Sequence, residues 1–398
     1  MALGAQLGVT GVNPHQDVTS ALARRTGTSP ADWFLVFKAR YGMQVVFEAI
    51  EAARGAGDVV TQAFTCSTAV DPILAAGLRP VYADVARDSV AIDGGRLTVP
   101  DTARAVMLQH TFGIVDTGNA ERLRASAHAA GALLVEDAAH CAGRMATGTE
   151  GVPLADVSIH SFGVEKMLPT RFGGAVWVSP DLADPALRAR VAGDLAGLPP
   201  IGTRLDLAAR TYRNQVRVLN RVPGALGRGT RRALAAARVF EPAIAPVELR
   251  GGLPYRPMAP SDWVSAQAAV ALGRLDEIEA ARAAVVATYL RELAGLVEVP
   301  GAVAGATPLV RFPFFAADGA TAERLVAELG GQGVYAGRWY RPALFPGVTE
   351  PGRYGYDPAD PALQVTRDLV ERVVNLPTRV TEPEATRISA LVRAALHA

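Results

Sequence analysis

Lysine is nearly missing from this chain. Among 398 residues the forty basic side chains include only two lysines, Lys38 and Lys166. A bias toward arginine explains the loss but not the survivors. Guanidinium stays protonated and cannot supply a neutral primary amine, so each remaining lysine marks a place where amine chemistry could be required. Cysteine is equally scarce: Cys66 and Cys141 are too few for a disulfide framework, an iron–sulfur cluster or a four-cysteine zinc site. Both are expected to be reduced thiols. Neither sign of charge prevails, because forty basic against thirty-nine acidic residues leave a net +1. The field of a nucleic-acid-binding protein is therefore missing, and no nucleic-acid partner is expected. No apolar run approaches the ~18 residues of a membrane span, and the opening MALGAQLGVTGVNPH has no basic-then-apolar leader pattern, which reads as cytoplasmic. A glycine-rich dinucleotide fingerprint, a P-loop and a G-x-S-x-G elbow are also missing. Hydride transfer, nucleotide hydrolysis and serine hydrolysis lose their usual support.

What is present is a globular composition, 49% hydrophobic and 20% charged. At ~150 residues per domain the length predicts two to three lobes. Over the first half, short β-rich runs (59–62, 80–85, 105–110, 132–137, 157–162 and 175–178) alternate with helical patterns (43–54, 69–76 and 120–130), each helix followed by glycine. That alternation predicts an α/β domain with a mainly parallel central sheet flanked by helices, whose ligands sit beyond the C-terminal strand ends. From Asp262 the periodicity predicts one long linking helix, followed by strand-like PLVRFPFF and VYAGRWY, a helix over 321–329 and a last helix over 383–396. The expected division is a large domain over 1–261 and a linking helix with a smaller C-terminal α+β domain over 262–398.

Between the lobes, within an expected helical insertion at about 195–248, the segment 204–238 holds nine arginines (Arg204, Arg210, Arg213, Arg217, Arg221, Arg228, Arg231, Arg232 and Arg238) against a single acid, Asp206. This stretch carries +8, leaving −7 for the remainder. A solvated face is one reading. The other is contact with an anionic carrier or a membrane surface, with Leu205, Leu207, Val216 and Leu219 as apolar support.

Two loops carry the chemistry. LLVEDAAHCAG ends an apolar strand with Glu136, Asp137, His140 and Cys141, and HSFGVEKMLPTRFGG places Lys166 twenty-nine residues beyond Asp137, again after a strand. A carboxylate and a lysine at one edge of one sheet match what pyridoxal phosphate requires: an amine to join its aldehyde and a carboxylate to keep its pyridine nitrogen protonated. Other readings of the same residues are a helix cap at Asp137, a surface charge at Lys166, and a metal site through His140 and His160, for which regular ligand spacing is missing. Lys38 reads as a solvent-facing charge, with neutralisation of a nearby phosphate as the other reading. Cys66 reads as a small buried hydrophobe.

Taken in order, these segments resemble the DegT/DnrJ/StrS-type sugar aminotransferases, which are fold type I pyridoxal-phosphate enzymes, over roughly 37–396. RYGMQVVFEAI is similar to the family's Ser-Gly-Thr turn and helix, which implies phosphate contact at Gly42, Met43 and Gln44. VTQAFTCSTAVDPILAAGLRPVYADV ends in the family's Gly-x-x-Pro-Val-x-x-Asp pattern. In VEDAAHC the resemblance implies Asp137 as partner of the pyridine nitrogen and places His140 where the family usually has Gln near the 3-hydroxyl. In HSFGVEK it implies Ser161 as a phosphate ligand and Lys166 as the cofactor lysine. Cys66 stands where a ring commonly stacks on the cofactor. GGLPYRPMAPSD replaces the family's Gly-x-Asn-Tyr-Arg segment, with Pro254 for Asn, which leaves Tyr255 and Arg256 as implied cross-subunit or substrate contacts in a homodimer. Arg171 and Phe172 precede the glycine pair where an acid and Gly are usual.

The implied activity is transfer of an amino group from an amino acid, glutamate by resemblance, to a keto-sugar, nucleotide-sugar or cyclitol ketone. Dehydration or elimination on the same cofactor is an alternative, although the family's sugar dehydratases usually have His in place of the lysine. A non-catalytic sensor on the same fold is another, motivated by Cys66, Pro254 and Arg171.

Overall fold

In a computed structural model the described residues are 13–222, 224–303 and 307–397. Most of the opening segment read for a leader lies outside them. Seven strands form the main sheet: β1 (Trp33–Val36), β2 (Asp58–Thr61), β3 (Arg79–Tyr82), β4 (Ala103–Gln109), β5 (Leu133–Ala138), β6 (Val157–Ser161) and β7 (Gly174–Val178). Their order is β1-β7-β6-β5-β4-β2-β3. The pairs from β3 through β6 are parallel, and β7 runs antiparallel to both β6 and β1.

The sequence dictates a sheet covered on both faces. Strands β5, β6 and β7 are buried along their whole lengths, as near-continuous apolar strands of a parallel sheet must be. Alternate residues go to opposite layers. Ala105, Met107, Leu133 and Val135 pack under the helix Ala39–Arg54 and its neighbour Pro185–Ala196, while Val106, Leu108 and Leu134 pack on the other side against Leu123 and Ala127 of Thr117–Ala129. Gly42 makes the first of these contacts close: a Cβ there would stand 2.4 Å from Val176 Cγ2. The parallel register brings Gln109 beside Asp137 and Asp137 beside Ile159, so the C-terminal ends of β4, β5 and β6 share one rim.

A two-stranded antiparallel sheet, β8 (Arg311–Phe315) with β9 (Val373–Pro377), anchors the C-terminal lobe. Phe312, Phe314, Val374 and Leu376 bury there against the helices Gly319–Gly331 and Glu382–His397.

Several expectations are corrected. The single linking helix is two, Asp262–Leu272 and Leu275–Glu292, broken at Gly273–Arg274, where glycine weakens the helix and Arg274 leaves helical geometry. VYAGRWY is no strand; only Gly337 bridges to Asn375, and the aromatic residues behind the alternating pattern pack inward as Trp339 and Tyr340. Lys38 is not solvent-facing: it is 9% exposed and paired with Glu241. In the arginine-rich stretch the helices Thr203–Leu219 and Gly224–Ala236 form, but Leu205 and Leu219 turn inward onto Phe37, Phe172 and Tyr212, and Val216 packs at the edge of that cluster. Of the four proposed apolar contacts, Leu207 alone is exposed.

Candidate active site

The rim of β4, β5 and β6 forms the floor of a cavity. Asp137, near the end of β5, is buried with both carboxylate oxygens engaged: Oδ2 accepts from Gln109 Nε2 at 2.9 Å, and Oδ1 accepts from the Ala139 amide at 3.0 Å. Gln109 is fixed in turn by donating to Thr65 Oγ1 at 2.9 Å. Glu136, one residue earlier, points to the opposite layer by strand alternation. Burial would raise its pKa, but His110, the Ala146 amide and Ser158 overcome that and hold its carboxyl below the usual value. It is a structural anion rather than part of the cavity wall.

Lys166 follows β6 on a loop that reaches the same cavity. Among the described residues its amine makes no hydrogen bond or ion pair. Burial lowers its pKa below 10.5; Cys66 and Asp137 oppose that shift and Arg40 adds to it. The site thus holds an uncommitted amine whose neutral form is favoured more than in water.

His140 stands above this floor. Its Nδ1 accepts from the Phe112 amide at 3.0 Å, and its Nε2 lies 3.3 Å from the Tyr340 hydroxyl. Burial and then the charge of Lys166 push its pKa well below 6.5. The ring is therefore neutral with its proton on Nε2, directed at the Tyr340 oxygen. Tyr340 comes from the C-terminal lobe and lies almost parallel to the His140 ring, at an interplanar angle of 5°.

The cavity is also lined by the start of a helix, a place that can hold an anion. Helix Ala39–Arg54 starts with Lys38 at its N-cap; the Tyr41 amide donates to the Lys38 carbonyl oxygen at 3.0 Å, and no side chain caps the amides before it. Ala39, Arg40, Met43 and Ser161 all line the cavity. Space there is set by Gly174, where a Cβ would lie 2.7 Å from the His160 oxygen and 2.9 Å from the Ala39 nitrogen.

Cavity-lining residues thus include Lys166, Asp137, His140, Ser161, Cys66 and Met43. Gly42 instead packs on the sheet, and Gln44 donates to Glu48 at 2.7 Å; neither lines the cavity. Cys66 is partly exposed and its sulfur accepts from Thr68 Oγ1 at 3.1 Å. Tyr255 donates its hydroxyl proton to Glu241 at 2.9 Å behind the wall, and Arg256 is exposed; neither reaches the cavity within this chain. Residues not foreseen are Gln109, Tyr340, Arg40 and Glu241. Gln109 was detectable as a polar residue at the end of the strand beside Asp137. Glu241 lies in no motif and meets Lys38 across 203 positions.

Comparison with known proteins agrees with this geometry. Residues 38–196 match the DegT/DnrJ/EryC1/StrS aminotransferase family. The chain is 29% identical over 143 residues to the GDP-perosamine synthase of Vibrio cholerae, covering 35% of this chain and 38% of that protein, so the match spans well under half of the relative. A putative sugar aminotransferase from Streptococcus pneumoniae in its PMP form superposes with a TM-score of 0.72 at 17% identity, covering 98% of this chain and 94% of that one. The aminotransferase TlmJ from Streptoalloteichus hindustanus gives 0.68 at 20% identity, with coverage of 96% and 91%. These likenesses across nearly the whole length establish the fold type I architecture.

Proposed function

We propose that this DegT/DnrJ/EryC1/StrS-like chain is a pyridoxal-phosphate-dependent aminotransferase that moves an amino group from an amino acid, with glutamate the expected donor, to a keto-sugar, nucleotide-sugar or cyclitol ketone. The observation that carries this reading is that one cavity is lined by an uncommitted lysine amine, a fixed carboxylate and an uncapped helix N-terminus. These are the three groups such a cofactor asks for at its aldehyde, its ring nitrogen and its phosphate.

When bound, the cofactor supplies an aldehyde for amine exchange and a ring that accepts the electron pair released at the substrate carbon. The protein groups do the rest. The first-turn amides of Ala39–Arg54 and the Ser161 hydroxyl would hold the phosphate. Asp137, oriented by Gln109 and the Ala139 amide, would hold a proton at the ring nitrogen. Lys166, with its pKa lowered by burial, would take a proton from the α-carbon of the amino donor as a neutral amine and return it to the cofactor's aldehyde carbon. Neutral His140, backed by Tyr340, positions the ring without adding charge.

The same reading takes the protein as a cytoplasmic homodimer in which Tyr255 or Arg256 contributes to the neighbouring site, since closed two-fold dimers are the commonest soluble oligomers. It also takes the arginine-rich helices as a contact for an anionic carrier or membrane surface. No helix among the described residues is long and apolar enough to cross a membrane. The direct test is to reconstitute the protein with pyridoxal phosphate and record its visible absorbance. Loss of the bound-cofactor band on adding glutamate, with 2-oxoglutarate released, is the expected result; an inert band or no band rejects the assignment. Product analysis with a keto-sugar panel separates amine transfer from dehydration.

A further inference from the structure

A second cavity lies on the other side of the Lys166 loop, against the C-terminal lobe. It shares Val164, Lys166 and Arg171 with the first, so the two meet at the reactive amine. Four guanidinium groups line it: Arg171, Arg282, Arg311 and Arg379.

What sets them apart is that they cluster without a carboxylate partner. Several other buried or half-buried arginines meet carboxylates, as Arg40 does Glu248 and Arg144 does Glu279, while those that donate to carbonyl oxygens instead, such as Arg54, Arg104 and Arg367, are scattered singly. In the second cavity none of the four meets a carboxylate among the described residues. Arg282 is 7% exposed and donates only to neutral oxygens, those of Val310 at 3.0 Å, Thr378 at 2.7 Å and Leu309 at 3.4 Å. Arg311 is 6% exposed and donates to Asn375 Oδ1 and the Tyr335 carbonyl, both at 3.1 Å. Each keeps a buried nitrogen without an acceptor, Nε of Arg282 and Nη2 of Arg311. Arg171 donates to carbonyl oxygens of its own loop. Arg379 is exposed and makes no hydrogen bond or ion pair among the described residues. The acids at this cavity do not balance the charge. Glu384 is committed to Arg387 in a two-bond pair at 2.7 and 2.9 Å, which leaves exposed Glu165 facing Tyr335 and Arg311.

Buried charge without a counter-ion is costly, and clustering like charges adds to the cost. Burial pushes Arg282 down to about 10, with Arg379 and Arg311 adding to the shift. A cluster of this kind is explained when an anion completes it. Arg311 is also held flat, with its guanidinium 4.5 Å from the Tyr335 ring centre and 5.2 Å from that of Trp339, an arrangement that fixes its fork for a planar or tetrahedral oxyanion.

We propose that this cavity is the subsite for an anionic group of the substrate, a carboxylate or a phosphate, gripped by Arg311 and Arg282 with Arg171 and Arg379 at its mouth, so that the rest of the molecule extends to Lys166. The proposal rests on the aminotransferase reading for the identity of the molecule as substrate. The anion site itself does not depend on it.

The test is calorimetric titration of protein reconstituted with pyridoxal phosphate, using two unreactive probes, glutarate and inorganic pyrophosphate. Binding of at least one, weakened by added salt, is expected. A response to glutarate alone assigns the subsite to a donor carboxylate, and a response to pyrophosphate alone assigns it to an acceptor phosphate. Arg379→Gln, at an exposed position, should weaken the responding probe about tenfold, and Arg171→Gln with it further. Arg311→Lys, checked for an unchanged melting curve, keeps the charge but loses the fork and should weaken it as well. Absence of binding by both probes, or unchanged affinity in the folded Arg171→Gln/Arg379→Gln double variant, overturns the proposal. A missing cofactor band on reconstitution would instead reject the aminotransferase reading, and the same variants would still report on the anion site.

Discussion

The Lys38 ammonium is buried against the carboxylate of Glu241, and the Tyr255 hydroxyl donates to the other oxygen of the same carboxylate at 2.9 Å. Arg40 and Glu248 repeat the arrangement two residues further on. Both acids belong to the segment that follows the arginine-rich helices, so this segment straps the start of Ala39–Arg54 and fixes the proposed anion seat. Burial lowers the Lys38 pKa and Glu241 opposes that shift. Removing one partner leaves an uncompensated buried charge, so Glu241→Ala should destabilise the fold by about 3–5 kcal/mol in urea unfolding. Adding Lys38→Met should recover much of the loss, because an apolar pair avoids the desolvation penalty. A Glu241→Ala variant as stable as the parent would remove the strap from the account.

Lys166 should carry the cofactor. Borohydride reduction of reconstituted protein followed by peptide mapping is unusually clean here, because the only other lysine is Lys38. Lys38 is already committed to Glu241, so the pyridoxyl group is expected on Lys166 alone. Recovery on Lys38, or on neither, would dismantle the site assignment.

How much of this could be read from the sequence depends on the range of the interactions. Asp137 and Lys166 were legible because one lies near the end of a strand of a parallel sheet and the other on the loop after the next strand, and the C-terminal rim of such a sheet is where ligands gather. The proposed anion seat was legible as a helix start but not in its register. Gly42 suggested a phosphate turn, yet it is required by the 2.4 Å approach of Val176 to where a Cβ would be, and the open first turn lies at Lys38–Arg40. Lys38 and Glu241 could not be paired from sequence, since nothing local links residues 203 positions apart. The aromatic run at 334–340 imitated a strand because alternation reports burial on one side, which Tyr340 achieves by entering the active cavity.

Asp137→Asn should bind cofactor and lose turnover by orders of magnitude. The amide keeps the shape and accepts one hydrogen bond from Gln109, but it no longer supplies the charge that holds a proton at the ring nitrogen. Gln109→Leu should lower turnover less, because the carboxylate remains and loses only one of its two fixing contacts. Single-turnover absorbance with glutamate separates the two. Turnover near the parental rate in Asp137→Asn would take the carboxylate out of the mechanism.

Asp71 should make stability depend on pH. Burial raises its pKa from 3.8 to about 8, although the Tyr354 hydroxyl opposes the shift. That hydroxyl lies 2.6 Å from Asp71 Oδ1 and 2.8 Å from the Glu248 carbonyl oxygen, and its one proton can serve only one of them. A protonated Asp71 donating to Tyr354, with Tyr354 donating to the carbonyl, satisfies all three groups. The folded state thus binds this proton more tightly than the unfolded chain. Its contribution is complete below about pH 4, declines as pH rises toward about 8, and is gone above that. Melting temperatures of Asp71→Asn, whose amide is a permanent donor, should lack this part of the decline. Parallel pH profiles for parent and variant would contradict it.

The arginine-rich helices should bind anionic lipid. Helix Thr203–Leu219 turns Leu205, Ala209, Tyr212 and Leu219 inward, while Leu207 and Val218, eleven positions apart and therefore on one face, are 60% and 58% exposed. Leu226 of the next helix is 70% exposed. Some of the arginines are engaged within the fold: Arg210 with Asp206 at 2.7 Å, Arg213 with the Pro169 carbonyl at 2.6 Å, and Arg231 with Asn220. Arg204, Arg217, Arg221, Arg228 and Arg232 make no hydrogen bond or ion pair among the described residues and are exposed. The engaged ones are thus poor probes, and the informative substitution is Arg217→Glu with Arg221→Glu and Arg228→Glu. Near an anionic surface each arginine contributes about 1 kcal/mol, a benefit that shrinks as salt shortens the screening length. The parent should sediment with phosphatidylglycerol vesicles at low salt, less so at high salt, and hardly at all with phosphatidylcholine. The triple variant should lose the anionic component while keeping its melting temperature, because none of its three side chains is holding the fold together. Equal sedimentation of parent and variant, or none by the parent at low salt, would leave these helices as a solvated face.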